Sequence, residues 1–135
     1  MNRLKILLLI SLLLPGCALL DAYNMAEYDN NEYYLVNKIR TESEVNINTC
    51  SNQKVSSIVF NELYEISTEL KNFAQYIPDN EDTFKLASGL VELTKQGKET
   101  YDNNDAVSIS FCKLKLKSIN RAAEKAQEVI GNKPR

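Results

Sequence analysis

Residues 55–77 read VSSIVFNELYEISTELKNFAQYI, and apolar side chains recur along them every three or four residues. This spacing follows the 3.6-residue period of an α-helix, so the segment predicts a long amphipathic helix with one buried face. Ser51 is placed to cap the start of this helix, and Pro78 stops it. The predicted buried face comprises Val55, Val59, Leu63, Ile66, Leu70, Phe73 and Ile77.

Two further helices are predicted after Pro78. The first begins at Asp79 or Asn80, whose side-chain oxygen can accept hydrogen bonds from the free amides of the first turn. The sequence DNND at residues 102–105 then predicts a turn and a cap. The last helix ends at Gly131, with Pro134 just beyond it. The buried positions are Leu86, Ala87, Leu90, Val91, Leu93, Gly97 and Tyr101 in the first, and Ile109, Cys112, Leu116, Ile119, Ala123, Ala126 and Ile130 in the second.

The segment before Cys50 has a weaker pattern. Leu35, Val36 and Ile39 are apolar at helical spacing, which predicts a helix from about residue 30 to residue 49. The β-branched residues between 45 and 49 leave the end of this helix ambiguous. Four helices joined by short loops pack most simply as an antiparallel bundle. The sequence therefore predicts an all-α fold, with an antiparallel four-helix bundle over residues 30–131 and a tail over residues 132–135.

Composition excludes several classes of enzyme. The chain has 135 residues, which is the size of one domain, and it contains no His. Catalytic triads that use His, and zinc, haem or di-iron sites with His ligands, are therefore excluded. The carboxylates show no pattern that singles out a catalytic pair, an EF-hand or another metal site, and no glycine loop suited to phosphate is present. We expect a protein that is not an enzyme and has no cofactor.

The N-terminus has the features of an export signal. Arg3 and Lys5 precede an apolar run from residue 6 to residue 14, which is interrupted only by Ser11. This run is too short to span a bilayer but has the length of a signal-peptide core. It ends in Leu14, Gly16 and Cys17, and this pattern resembles the lipobox of bacterial lipoproteins, although Pro15 departs from the small residue usual at its position.

The resemblance to bacterial lipoproteins implies how the chain is processed. Residues 1–16 would be a cleaved signal peptide, Cys17 would carry a diacylglyceryl thioether and an acyl chain such as palmitate, and residues 17–29 would form a lipidated tether. Ala18, rather than Asp, follows Cys17, and this favours the periplasmic leaflet of an outer membrane. The alternatives are an uncleaved signal anchor and an ordinary signal peptide with a chance Cys.

Cys50 and Cys112 would then be the cysteines left besides Cys17. An even number of thiols in an exported protein indicates a disulfide. In the predicted bundle the first helix ends, and the last helix begins, at the same end of the molecule, so the two thiols are placed to meet. The alternative is that Cys112 is a small buried apolar residue and Cys50 an incidental loop thiol.

Two groups of residues are candidates for partner binding. Residues 17–105 hold 7 Lys or Arg against 16 Asp or Glu, whereas residues 106–135 hold 7 against 2, so the last helix is basic and the others are acidic. Its cationic strip suits an anionic partner, such as a phospholipid head group or an acidic protein; the alternative is pairing with neighbouring acidic helices. The strip is Lys113, Lys117, Arg121 and Lys125.

The second group is a cluster of tyrosines close to the predicted lipid. Tyrosine suits sites that are half apolar and half wet, which include membrane and protein interfaces. The alternative is that two or three of these rings pack against the bundle. The cluster is Tyr23, Tyr28, Tyr33 and Tyr34.

These features predict a lipid-anchored adaptor of the cell envelope that binds a protein partner and does not bind nucleic acid. The alternative class is a phage-type or prophage-type lipoprotein that acts in exclusion, lysis or inhibition, including immunity. Such proteins share the anchored format of this chain.

Overall fold

The computed structural model describes residues 25–104 and 106–135. These residues form four α-helices and a short 3₁₀ helix, Asn46–Thr49, which follows the first of them. Neighbours in sequence pack side by side, and the first helix also packs against the fourth, which closes an antiparallel bundle and confirms the predicted all-α fold. The helices are α1 (Asn30–Val45), α2 (Gln53–Ala74), α3 (Glu81–Asn103) and α4 (Ile109–Gly131).

Helices α2 and α4 lie diagonally across the bundle and supply much of its core. Ile109, the first of the seven positions predicted to be buried in α4, is 49% exposed. The other six are buried: Cys112, Leu116, Ile119, Ala123, Ala126 and Ile130. In α2 the central residues of the predicted face are buried, but Val55 and Phe73 are 36% and 37% exposed at its two ends. Ile77 lies beyond the helix. Phe60, outside the predicted face, is fully buried.

The helix ends differ from the predicted ones in three places. Asn52, not Ser51, caps α2, because its Oδ1 accepts from the amide of Val55 at 3.1 Å. Ser108 caps α4 through its Oγ, 3.1 Å from the amide of Phe111. Helix α3 continues through Asn103, so residues 102 and 103 are helical and the predicted turn starts too early. Polar residues that could cap stand side by side in all these connections, and sequence alone does not rank them.

The first helix is shorter than predicted. Its α-helical part ends at Val45, and the chain continues as 3₁₀ helix to Thr49. Val45 and Ile47 belong to the β-branched run that made this end ambiguous, and the tighter 3₁₀ turn is a common way to finish an α-helix. Asp29 caps the start of α1, because its Oδ1 accepts from the amides of Asn31 at 2.7 Å and Glu32 at 3.1 Å.

Different segments of the chain meet at the two ends of the bundle. At the tether end, residues 25–29 pass between the α2–α3 connection (75–80) and the C-terminal tail (132–135). The amide of Ala26 donates to the carbonyl of Asp79 at 3.0 Å, and that of Tyr28 donates to the carbonyl of Pro134 at 2.8 Å. At the opposite end, the disulfide end, the 3₁₀ helix meets the starts of α2 and α4.

Candidate functional site

A disulfide joins α4 to the segment after α1. Cys50 and Cys112 are bonded, with their Cα atoms 5.7 Å apart, as predicted. Both residues are buried. The hydroxyl of Ser56 lies 3.7 Å from Cys112 Sγ and donates to the carbonyl of Thr49 at 3.2 Å. The bridge thus holds the start of α4 against the end of the first helical segment, and the Ser56 hydrogen bond holds the start of α2 there.

A buried polar cluster closes the tether end. Glu32, Asn80 and Lys133 are 0%, 3% and 5% exposed. Lys133 Nζ donates to Glu32 Oε2 and to Asn80 Oδ1, each at 2.5 Å. Asn80 Nδ2 donates to Glu32 Oε1 at 2.6 Å and to the carbonyl of Ala74 at 3.2 Å. The buried charges are therefore paired and hydrogen-bonded, as charges away from water must be.

This cluster explains a failed capping prediction. Asn80 does occupy the N-cap position of α3, but its side chain makes no capping hydrogen bond there. Its side-chain amide instead donates to Glu32 through Nδ2 and accepts from Lys133 through Oδ1. Sequence reasoning missed the cluster, because a Glu in a first helical turn and a Lys near a C-terminus are both ordinary surface patterns.

The candidate tyrosines have different environments. Tyr28 and Tyr33 are partly buried against the core, and their ring centroids are 5.8 Å apart. The Arg135 guanidinium lies 4.9 Å from the centroid of the Tyr28 ring. Tyr34 is 63% exposed near the start of α1. Tyr23 and the predicted lipidation site, Cys17, lie outside the described residues.

The four candidate cations of α4 are all exposed. Lys125 Nζ lies 2.8 Å from Glu128 on its own helix. Lys113, Lys117 and Arg121 form no ion pair with any residue that the structure describes, so pairing with the neighbouring acidic helices does not account for them there. The ion pair between α1 and α4 has the reverse polarity, because it joins Arg40 of α1 to Glu124 of α4 at 3.4 Å.

A row of exposed carboxylates lies on α2. Glu62, Glu65 and Glu69 are exposed on α2, which is diagonal to α4. Glu65 accepts a hydrogen bond from Asn61 Nδ2 at 2.9 Å. A row of exposed cations on α4 and a row of exposed carboxylates on α2 therefore lie on diagonal helices of the bundle. The sequence pattern shows each row, but only the packing order shows that the two helices are diagonal.

The described residues also form a polar groove. This groove, of about 460 Å³, runs between α1 and α4, and Arg40 Nη1 donates to Gln127 Oε1 across it at 2.8 Å. Over residues 25–104 and 106–135, no three or more Cys, Asp and Glu side chains are grouped so that they could hold a metal ion. The groove brings together Tyr33, Arg40, Glu124, Gln127, Glu128, Gly131 and Asn132.

The described helices are all unsuited to crossing a bilayer, because none is both long and apolar enough. Comparisons of this chain with protein-family models, with curated proteins and with solved structures find no match.

Proposed function

We propose that this protein is a lipid-anchored, non-catalytic binding module of the cell envelope, and that the cationic strip of α4 receives an anionic partner. The observation that carries the proposal is that three cations of the strip, Lys113, Lys117 and Arg121, lack a charged partner among the described residues. They are exposed and make no ion pair within the described part of the chain. Three like charges along one helix face repel one another, so an anionic partner would stabilise them.

The tether end supports a role for the anchor. Cys17 lies eight residues before Met25, where the described chain reaches the bundle. Eight residues span at most about 28 Å, so a lipid on Cys17 would hold the tether end close to the membrane. Two or three acyl chains make such anchoring effectively permanent. Ala18 after the lipobox Cys favours the periplasmic leaflet of an outer membrane.

Metabolic labelling tests the anchor. Cells that express the full chain should incorporate radiolabelled palmitate into it, and a Cys17→Ser variant should be unlabelled and should appear in the soluble fraction. An unlabelled parent protein, or a Cys17→Ser variant that sediments with the membranes as completely as its parent, would contradict the anchor.

A charge-reversal experiment tests the binding surface. The triple variant K113E/K117E/R121E should lose the envelope proteins that co-purify with the lipidated parent after cross-linking in cells. The matched control, K38E/K85E/K95E, makes the same change in net charge on α1 and α3, where the three lysines are also exposed. Equal loss in both variants would show that net charge, and not the strip, governs binding.

A further inference from the structure

We infer that the partner of the cationic strip is a second copy of this chain, and that anchored copies pack side by side with α4 of one against α2 of the next. The inference rests on the proposed function, because it takes the strip of α4 as the binding surface. It names the anionic surface that the strip fits: the outer face of α2, which carries Glu62, Glu65 and Glu69.

Contacts at the disulfide end set the relative heights of α2 and α4. The two helices run in the same direction, because one antiparallel helix separates them along the chain. Ser56 Oγ lies 3.7 Å from Cys112 Sγ, so these residues are level along the bundle axis. The hydrogen bond from the amide of Val107 to Gln53 Oε1, at 3.1 Å, ties the two helix starts together as well.

Measured from this common level, the charged residues of the two rows lie at nearly the same heights along the bundle axis. Glu65 and Arg121 each lie nine residues beyond the level pair, and Glu69 and Lys125 each lie thirteen residues beyond it. At 1.5 Å per residue, these pairs stand about 14 Å and 20 Å along the axis. Glu62 is six residues beyond Ser56, and Lys117 is five beyond Cys112. Two copies shifted sideways, without rotation, would therefore place Glu65 opposite Arg121 and Glu62 beside Lys117, whereas Glu69 and Lys125 turn to opposite flanks of the contact.

An apolar pair completes the match. Ile58 and Leu114 are 50% and 67% exposed, and each lies two residues beyond the level pair. Each also lies seven residues, or nearly two full turns, before the central charge of its own row, Glu65 or Arg121. Ile58 and Glu65 thus share one line on α2, and Leu114 and Arg121 share the corresponding line on α4.

The proposed anchor would supply the orientation that this match needs. Copies held in one leaflet by their tether ends point the same way, so a sideways shift brings α4 of one copy to α2 of its neighbour. The two surfaces differ, so the contact is heterologous and can repeat into a row. Lys125 and Glu65 already make weak contacts within their own helices, and these contacts compete with the contact between copies. Confinement to the membrane offsets this competition, because it raises the effective concentration of one copy around another.

The test uses the full-length lipidated protein in membranes with a carbodiimide, which links a lysine to a carboxylate that it contacts. Wild-type protein should give a ladder of dimers and larger species that high salt weakens. Reversal of the cations (K117E/R121E/K125E) or of the carboxylates (E62K/E65K/E69K) should reduce the ladder by about tenfold or more, because like charges then face each other and one side of the contact no longer carries a group that the reagent can join. Circular dichroism should show both variants folded, since all six residues are exposed.

The combined sixfold variant decides the question. It exchanges the two rows, so neighbouring copies are again complementary and the ladder should return to near the wild-type level. A sixfold variant without a ladder would overturn the inference. The inference would also be overturned if the wild-type protein gives no ladder while K113E/K117E/R121E still loses the co-purifying proteins or the binding to phosphatidylglycerol vesicles. That result would leave the proposed function standing with a different anionic partner.

Discussion

Gly97 determines how closely α3 approaches α2 at the level of Phe60. A methyl group built on Gly97 would come within 2.6 Å of Cε1 of the Phe60 ring, and that ring is fully buried and stacked on Tyr101. The ring therefore has no free space to enter. In contrast, a methyl group on Gly89 of the same helix meets nothing within 4 Å.

The first prediction compares these two glycines. Gly97→Ala should lower the free energy of unfolding by about 1–2 kcal/mol, because overpacking outweighs the gain in helix propensity. Gly89→Ala should raise it by about 0.5–1 kcal/mol, because the propensity gain acts alone. Urea denaturation of both variants checks the signs. A stabilised Gly97→Ala protein would show that the close approach of α3 to Phe60 is wrong.

Lys133 is the second critical residue, since its removal leaves the carboxylate of Glu32 buried without its cation. We expect Lys133→Met to lower the free energy of unfolding by about 3 kcal/mol or more. The control Lys125→Met removes an exposed partner of Glu128, and it should cost less than about 1 kcal/mol. Denaturant titration of the purified proteins gives both values.

A double variant separates charge from packing at the same cluster. Glu32→Gln removes the orphaned charge but retains the carbonyl that accepts from Asn80 Nδ2. The double variant E32Q/K133M should therefore recover at least about half of the stability that Lys133→Met loses. If the double variant is less stable than Lys133→Met alone, the loss comes from packing and not from an unpaired charge.

At the scale of elements, the regular helices were predictable and their connections were not. Helix α4 has an uninterrupted apolar period, and its buried side from Cys112 to Ile130 matches the pattern. Helix α3 buries Thr83 and Thr94, which polarity assigns to the surface. Thr94 fits there because its hydroxyl donates to the carbonyl of Leu90 at 2.8 Å, a local bond that a hydropathy pattern does not register.

The charged sites likewise include one that the sequence predicts and one that it does not. The cationic strip of α4 follows from residue spacing, because a helix repeats every 3.6 residues whatever surrounds it. The Glu32–Lys133 pair does not, since its partners lie 101 residues apart and only the closed bundle brings them together. A long-range contact of this kind needs the tertiary structure.

The next prediction concerns the stability that the disulfide provides. The disulfide closes a separation of 62 residues. C50A/C112A should lower the free energy of unfolding by up to about 4 kcal/mol, chiefly by freeing the unfolded chain. Thermal denaturation with and without reductant provides the measurement. Reductant should lower the melting temperature of the wild type and leave that of the variant unchanged; equal melting of reduced and oxidised wild type would contradict the prediction.

At the scale of the whole molecule, the tether end gathers both ends of the described chain. Residues 25–29 contact the α2–α3 connection and the C-terminal tail, so a force applied through the proposed anchor acts directly on the bundle. Releasing these five residues would lengthen the reach of the anchored chain by about 17 Å. Neighbouring copies could then stand at different heights, and the matched rows of α2 and α4 would lose their common level.

The last prediction tests this coupling with a deletion of Pro134 and Arg135. The deletion removes the carbonyl that accepts from the Tyr28 amide and the guanidinium beside the Tyr28 ring, while Lys133 stays in place. Hydrogen exchange of the Tyr28 amide should accelerate by about tenfold or more, and amides in the middle of α4 should keep their protection. Arg135→Ala, which retains the Pro134 carbonyl, should have a smaller effect. Unchanged exchange at Tyr28 after the deletion would show that the tail does not hold the tether, and that the height of the bundle above the membrane is set elsewhere.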